Sequence, residues 1–142
     1  MSTRTPFRVG FSLMLLAALA AGCKTPQAQQ IETAGLRIDV LSAKAKRGRL
    51  EVAVRIWNDH DETLAFSNNE VRLILGDRQI AAQPGARRQD KPSVRPRLNG
   101  EFRWVFEVAS DLQRGDELPI EIRNMSLDEL PVLDTAMFTV RL

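Results

Sequence analysis

The sequence predicts an all-β protein: an antiparallel β-sandwich of about 7–8 strands behind an N-terminal export signal. Three observations carry this expectation. Apolar residues recur at every second position from Leu36 onward, turn-forming clusters separate these runs at close intervals, and an apolar stretch near the start ends on the only cysteine of the chain.

The alternation is clearest in "LEVAVRIW", where Leu50, Val52, Val54 and Ile56 share one face and Glu51, Ala53, Arg55 and Trp57 the other. It recurs at Val71, Leu73 and Leu75, and again at Phe102, Trp104, Phe106 and Val108. Shorter strands are expected at 36–41, 63–67, 79–82, 118–123 and 136–142, with turns at 46–48, 58–62, 67–69, 76–77 and 114–116. Two short helical turns are expected, at 109–115 and 126–134. Residues 83–100 hold Pro84, Pro92 and Pro96 without alternation and read as a long structureless connection, which in a compact domain is functional or disordered.

At the N-terminus, Arg4 and Arg8 form a basic region and Val9 to Ala21 an apolar run of about 13 residues, too short to cross a bilayer, which takes about 20. Cys23 has no second cysteine to pair with and only His60 as a possible base, so a disulfide, a cysteine metal site and a thiol nucleophile all lack partners. The segment "LAAGCK" resembles the lipobox of bacterial lipoproteins, with Leu19 one position further out than usual. The resemblance implies that residues 1–22 are a cleaved signal, that Cys23 is lipidated and becomes the first mature residue, and that Lys24 directs the protein to the outer membrane. Several acyl chains on one cysteine make such an anchor stable.

Residues 23–35, "CKTPQAQQIETAG", lack an apolar period and are expected to form a lipidated tether of roughly 20 Å root-mean-square span. Residues 36–142 then form one domain with one core. The 20 basic and 18 acidic residues become 18 of each once Arg4 and Arg8 leave with the signal, which removes the electrostatic warrant for nucleic-acid binding. The charge is uneven: residues 24–103 carry 15 basic and 10 acidic groups, residues 104–142 carry 3 and 8.

The succession "VAVRIWNDHDETLAFSNNEVRLIL", a gap, then "RLNGEFRWVFEVASDL" resembles the immunoglobulin-like domains that recur in bacterial lipoproteins and secreted antigens, a strand ending at Asn58 and Asn99-Gly100 opening the aromatic strand. A small protease-inhibitor sandwich has a related pattern. The resemblance implies a fold and supplies no catalytic residues.

Candidate chemistry is sparse. "NDHDE" groups His60 with Asp59, Asp61 and Glu62, but neighbours in one tight turn rarely converge on a single ion, so a solvated turn is expected and no metal or other cofactor. No Gly-x-Ser-x-Gly elbow or Gly-rich phosphate loop is present, and no enzyme is expected. Two basic segments remain: Lys44, Lys46, Arg47 and Arg49 around one turn, and Arg87, Arg88, Lys91, Arg95 and Arg97 on the long loop. Each reads either as a solvated loop or as a contact for anionic lipid, lipopolysaccharide or peptidoglycan. Trp57 falls opposite the apolar face of its strand and is covered by a loop or anchors a partner. The expected function is that of a lipid-anchored, non-catalytic binding module for another envelope protein, in the outer membrane and facing the periplasm. A binder of anionic envelope polymers and an exported protease inhibitor are the alternatives.

Overall fold

The computed structural model describes residues 29–84, 91–109, 111–132 and 134–142. Expectations for the signal at 1–22, for Cys23 and for Arg87 and Arg88 lie outside the described residues.

Strands β1 (Gln29–Thr33), β2 (Leu36–Lys46) and β3 (Arg49–Asn58) open the chain, followed by the short β4 (Leu64–Ala65). A single 3-10 turn at Asn68–Glu70 leads into β5 (Val71–Leu75), β6 (Arg78–Ala81) and β7 (Gln83–Pro84). Next come β8 (Ser93–Val94), β9 (Asn99–Glu107) and β10 (Glu117–Ile122). The hairpin of β11 (Ser126–Leu127) and β12 (Leu130–Pro131) precedes the last strand, β13 (Ala136–Arg141).

All pairings are antiparallel and form three sheets, ordered β1-β2-β3-β9-β7, β13-β10-β5-β6 and β12-β11-β4-β8. The two larger sheets face each other as a β-sandwich. With β2, β3, β5, β6, β7, β9, β10 and β13 taken in turn as A, B, C, C′, D, E, F and G, the sheets read A-B-E-D and G-F-C-C′, the strand order of an immunoglobulin sandwich. The third sheet closes the end at which β3 finishes, since β4 and β8 flank the loops that leave Asn58.

Alternation dictates the core. Leu50, Val52, Val54 and Ile56 from β3 and Trp104 and Phe106 from β9 meet Val71 and Leu73, Ile120 and Ile122, and Phe138 and Val140 from the facing sheet, all buried. Trp104 stacks on Phe102 at 6.2 Å with 8° between the planes, meets Phe66 edge-on at 6.2 Å and touches Phe138 at 6.5 Å. With no disulfide available, this aromatic cluster spans the sheets. Phe102, expected in the core, is only partly buried, packed edge-on against Phe66 at 5.1 Å.

Four expectations are corrected. The tether ends early: Gln29–Thr33 pairs with β2 from Gln29 opposite Val40 to Thr33 opposite Leu36. That strand satisfies the edge of β2, and the turn at Ala34 (φ 49°) and Gly35 (φ 72°) supplies the two left-handed residues a two-residue hairpin needs. The described part of 83–100 is not structureless, because β7 pairs with Trp104 and Val105, β8 pairs with β4, and Pro92 and Val94 are buried. The helical turn expected within 126–134 is instead a hairpin turning at Asp128 (φ 44°) and Glu129 (φ 70°). No helix forms in the described part of 109–115 either; its backbone instead bonds across the loop, Gly115 N–H to the Leu142 carbonyl at 2.7 Å.

Candidate functional site

The outward face of the five-stranded sheet is polar, and register decides which of its side chains meet. Arg37 on β2 stands opposite Trp57 on β3, and Asp39 opposite Arg55, which in turn faces Glu101 on β9. The Arg37 guanidinium lies 5.0 Å above the Trp57 ring, and the Trp57 indole N–H donates to Asp39 Oδ2 at 2.9 Å. Arg37 also grips Asp59 with two bonds, Nε to Oδ2 at 2.8 Å and Nη2 to Oδ1 at 3.1 Å. Arg55 donates to Glu101 Oε1 through Nη2 at 2.6 Å. Trp57 is thus half-buried, and its cover is an arginine from the neighbouring strand rather than a loop.

The hydrogen bond from Arg37 holds the Asp59 carboxyl below the usual carboxylate range; partial desolvation opposes this, while the charges of Arg37, Arg97 and His60 assist. Because the folded-state pKa is depressed, the brace is fully present above the ordinary carboxylate pKa and is lost as pH falls through the lower folded value. Titration followed at the Asp59 carboxyl carbon resonance is expected to show a midpoint below that of an unperturbed aspartate. A midpoint at or above the ordinary value would contradict the brace.

The "NDHDE" segment does not gather its carboxylates. Asp59 turns to Arg37 and Asp61 to Arg97, whose Nε donates at 2.9 Å. His60 donates its backbone N–H to Asn58 Oδ1 at 3.0 Å, and its ring lies against the Gly35 turn, where a Cβ would come within 2.7 Å of Nε2. Among the described residues no His, Cys, Asp and Glu cluster has metal-binding geometry. Asn58 is the buried member of the group, 1% exposed, and its amide reaches the carbonyls of Glu62 (2.7 Å) and Val94 (3.0 Å).

The two basic segments separate. Lys91, Arg95 and Arg97 are exposed beside the small sheet, with Arg97 committed to Asp61. Lys44, Lys46, Arg47 and Arg49 occupy the opposite end, around the β2–β3 turn, where Arg47 (φ 51°) and Gly48 (φ 73°) form a tight two-residue loop. A shallow groove of about 90 Å³ lies there, lined by Lys46, Arg47, Arg49, Val108, Asp111 and Leu112 among others.

The sequence singles out Trp57, and Asp59 only as a carboxylate of the "NDHDE" turn, but neither Arg37 nor Asp39. Strand parity shows that Trp57 points away from the core; only register shows what it meets.

No family model and no curated protein matches this sequence. The fold is similar to that of the yjhA protein from Bacillus subtilis, 7% identical, with a TM-score of 0.51 over 67% of this chain and 77% of that one. It is also similar to a Bacillus subtilis chain named as a lipoprotein, ycdA, 10% identical, with a TM-score of 0.55 over 79% of this chain and 38% of that one. This chain therefore spans well under half the length of the second. At these identities the likeness is one of fold.

Proposed function

We propose that this chain is a lipid-anchored protein of the cell envelope, held through Cys23 in the outer membrane, and that it acts without turnover by binding another envelope protein. The signal-like run ending at Cys23 supports the anchor, and the likeness to a chain named as a lipoprotein agrees with it. One observation carries the binding role. Trp57 and Arg37 form a preassembled aromatic and guanidinium surface, fixed by Asp39 and Asp59, on an open sheet face. Tryptophan and arginine dominate binding hot spots, and side chains already held in place lose little entropy when a partner arrives.

Two measurements test the reading. Cys23→Ser is expected to abolish acylation and leave the chain unprocessed; mature soluble protein cut at another position would overturn the anchor. Trp57→Ala is expected to leave urea unfolding within about 1 kcal/mol of the parent, since a half-exposed outer-face residue carries little of the core, while capture of the partner from envelope extracts falls at least tenfold, the scale of a hot-spot truncation. Unchanged capture would remove this face from the interface.

A further inference from the structure

We infer that the β2–β3 hairpin tip, with Leu41, Lys44, Lys46, Arg47 and Arg49, is a second interaction surface, and that its partner is the anionic phospholipid surface of the anchoring membrane. The inference rests on Cys23 being the anchor.

Strand direction supplies the first argument. β1 runs antiparallel to β2 and begins with Gln29 opposite Val40, so the chain enters the sheet from the side on which β2 continues to Lys46. Six residue steps separate Cys23 from Gln29, a reach of at most about 20 Å. The same number of steps along β2 leads from Val40 to Lys46, also about 20 Å. A membrane holding Cys23 therefore lies within reach of the tip.

Chain length alone also allows the other end of the sandwich to approach the membrane, and charge decides between them. Residues 44–49 are all exposed, and among the described residues Lys44, Lys46 and Arg47 make no ion pair. The acidic groups beside the tip are Glu51, opposite Lys44 in register, Asp111 in the groove, and Glu107, which Arg49 approaches only to 3.8 Å; Asp77, Asp116 and Glu117 lie at the same end on the facing sheet, where Arg78, Arg114 and Arg141 accompany them. The opposite end carries Asp59, Asp61, Glu62, Asp128 and Glu129 against the exposed Lys91 and Arg95, with Arg37 and Arg97 already engaged by the first two. The first end, with three cations on one protruding turn unpaired among the described residues, attracts an anionic surface more strongly than the second, where acidic groups outnumber the free cations.

The bulge between Val40 and Ser42 adds an apolar contact. It turns Leu41 outward to 40% exposure on the part of the β2 edge that β1 does not cover. Lysine and arginine stems flanking an exposed leucine suit the headgroup boundary.

The test uses the full chain in nanodiscs carrying a trace of nitroxide-headgroup lipid, with amide signals followed by NMR and the mass of Cys23 measured in parallel. In phosphatidylglycerol discs the amides of residues 44–49 are expected to lose their signal while those of 59–62 keep theirs. High salt, phosphatidylcholine discs, or Lys44→Ser with Lys46→Ser and Arg47→Ser should restore the lost signals, each basic residue being worth about fivefold in surface affinity. Broadening equal at both ends, broadening insensitive to salt, or no broadening of residues 44–49 would overturn the inference. An unmodified Cys23 would overturn the anchor reading instead, independently of which amides broaden.

Discussion

Trp104→Ala is expected to lower the unfolding free energy by about 3–5 kcal/mol, the cost of truncating a large buried aromatic. The residue is 1% exposed, sits on β9 between β3 and β7, and reaches across the sandwich to Phe138 of the other sheet. Its indole N–H also donates to Asn68 Oδ1 at 3.2 Å, tying the 3-10 turn that precedes β5 to the five-stranded sheet. Removing the ring opens a void among Phe66, Phe102 and Phe138, which cannot all collapse into it because they belong to different layers. A domain of this size has about 5–15 kcal/mol in total, so the variant is expected to be only marginally folded at room temperature. Trp104→Phe, which keeps most of the stacking, is expected to cost clearly less. Urea unfolding measures both, and a loss below about 1 kcal/mol for the alanine variant would show that the ring does not bridge the sheets.

The strands that could be read in advance are those with one buried and one solvated face. β3, β5 and β9 carry alternation because the sheets pack on one side only, and their inward residues form the core as expected except Phe102 and Leu75, which are only partly buried. The strands that could not be read owe their existence to a neighbour. In β1 only Ile31 is apolar, and its five residues are extended because the edge of β2 offers backbone partners. β8 is two residues inside a proline-rich stretch and forms against β4. The turn at Asp128 and Glu129 adopts a glycine-type conformation without glycine, so the ordinary hairpin signal was missing and the acidic stretch read as a helical turn. The site follows the same division. The outward direction of Trp57 is a matter of parity, but its meeting with Arg37 and Asp39 depends on pairing register, which period-two alternation leaves open.

Asn58→Ala is expected to cost about 2–3 kcal/mol although it deletes only a small polar group, because what it leaves behind is buried and unpaired. The Asn58 amide donates to the Glu62 and Val94 carbonyls, its Oδ1 accepts the His60 N–H, and its own backbone N–H bonds to the Leu98 carbonyl at 2.9 Å. The side chain therefore holds the loop that leaves β3 and the strand β8, and the backbone N–H of the same residue holds the turn that enters β9. Loss of the donor should loosen these segments selectively: amide exchange at 59–62 and 93–98 is expected to accelerate well beyond that of β5 and β10, which lie in the facing sheet. Asp59 follows directly in this loop, so the Arg37 brace and the Trp57 surface should weaken with it. Asn58→Asp gives the more diagnostic result. An ionised carboxylate cannot donate to two carbonyls and faces them with like polarity, so at neutral pH this variant should be less stable than the alanine one. Burial raises the pKa of the introduced acid above its unfolded value, and the deficit should shrink as pH falls through that raised value, where the protonated group regains one donor. If both variants unfold like the parent, with unchanged exchange at 59–62, Asn58 does not organise this end of the sandwich and the Trp57 surface is held by its own ion pairs alone.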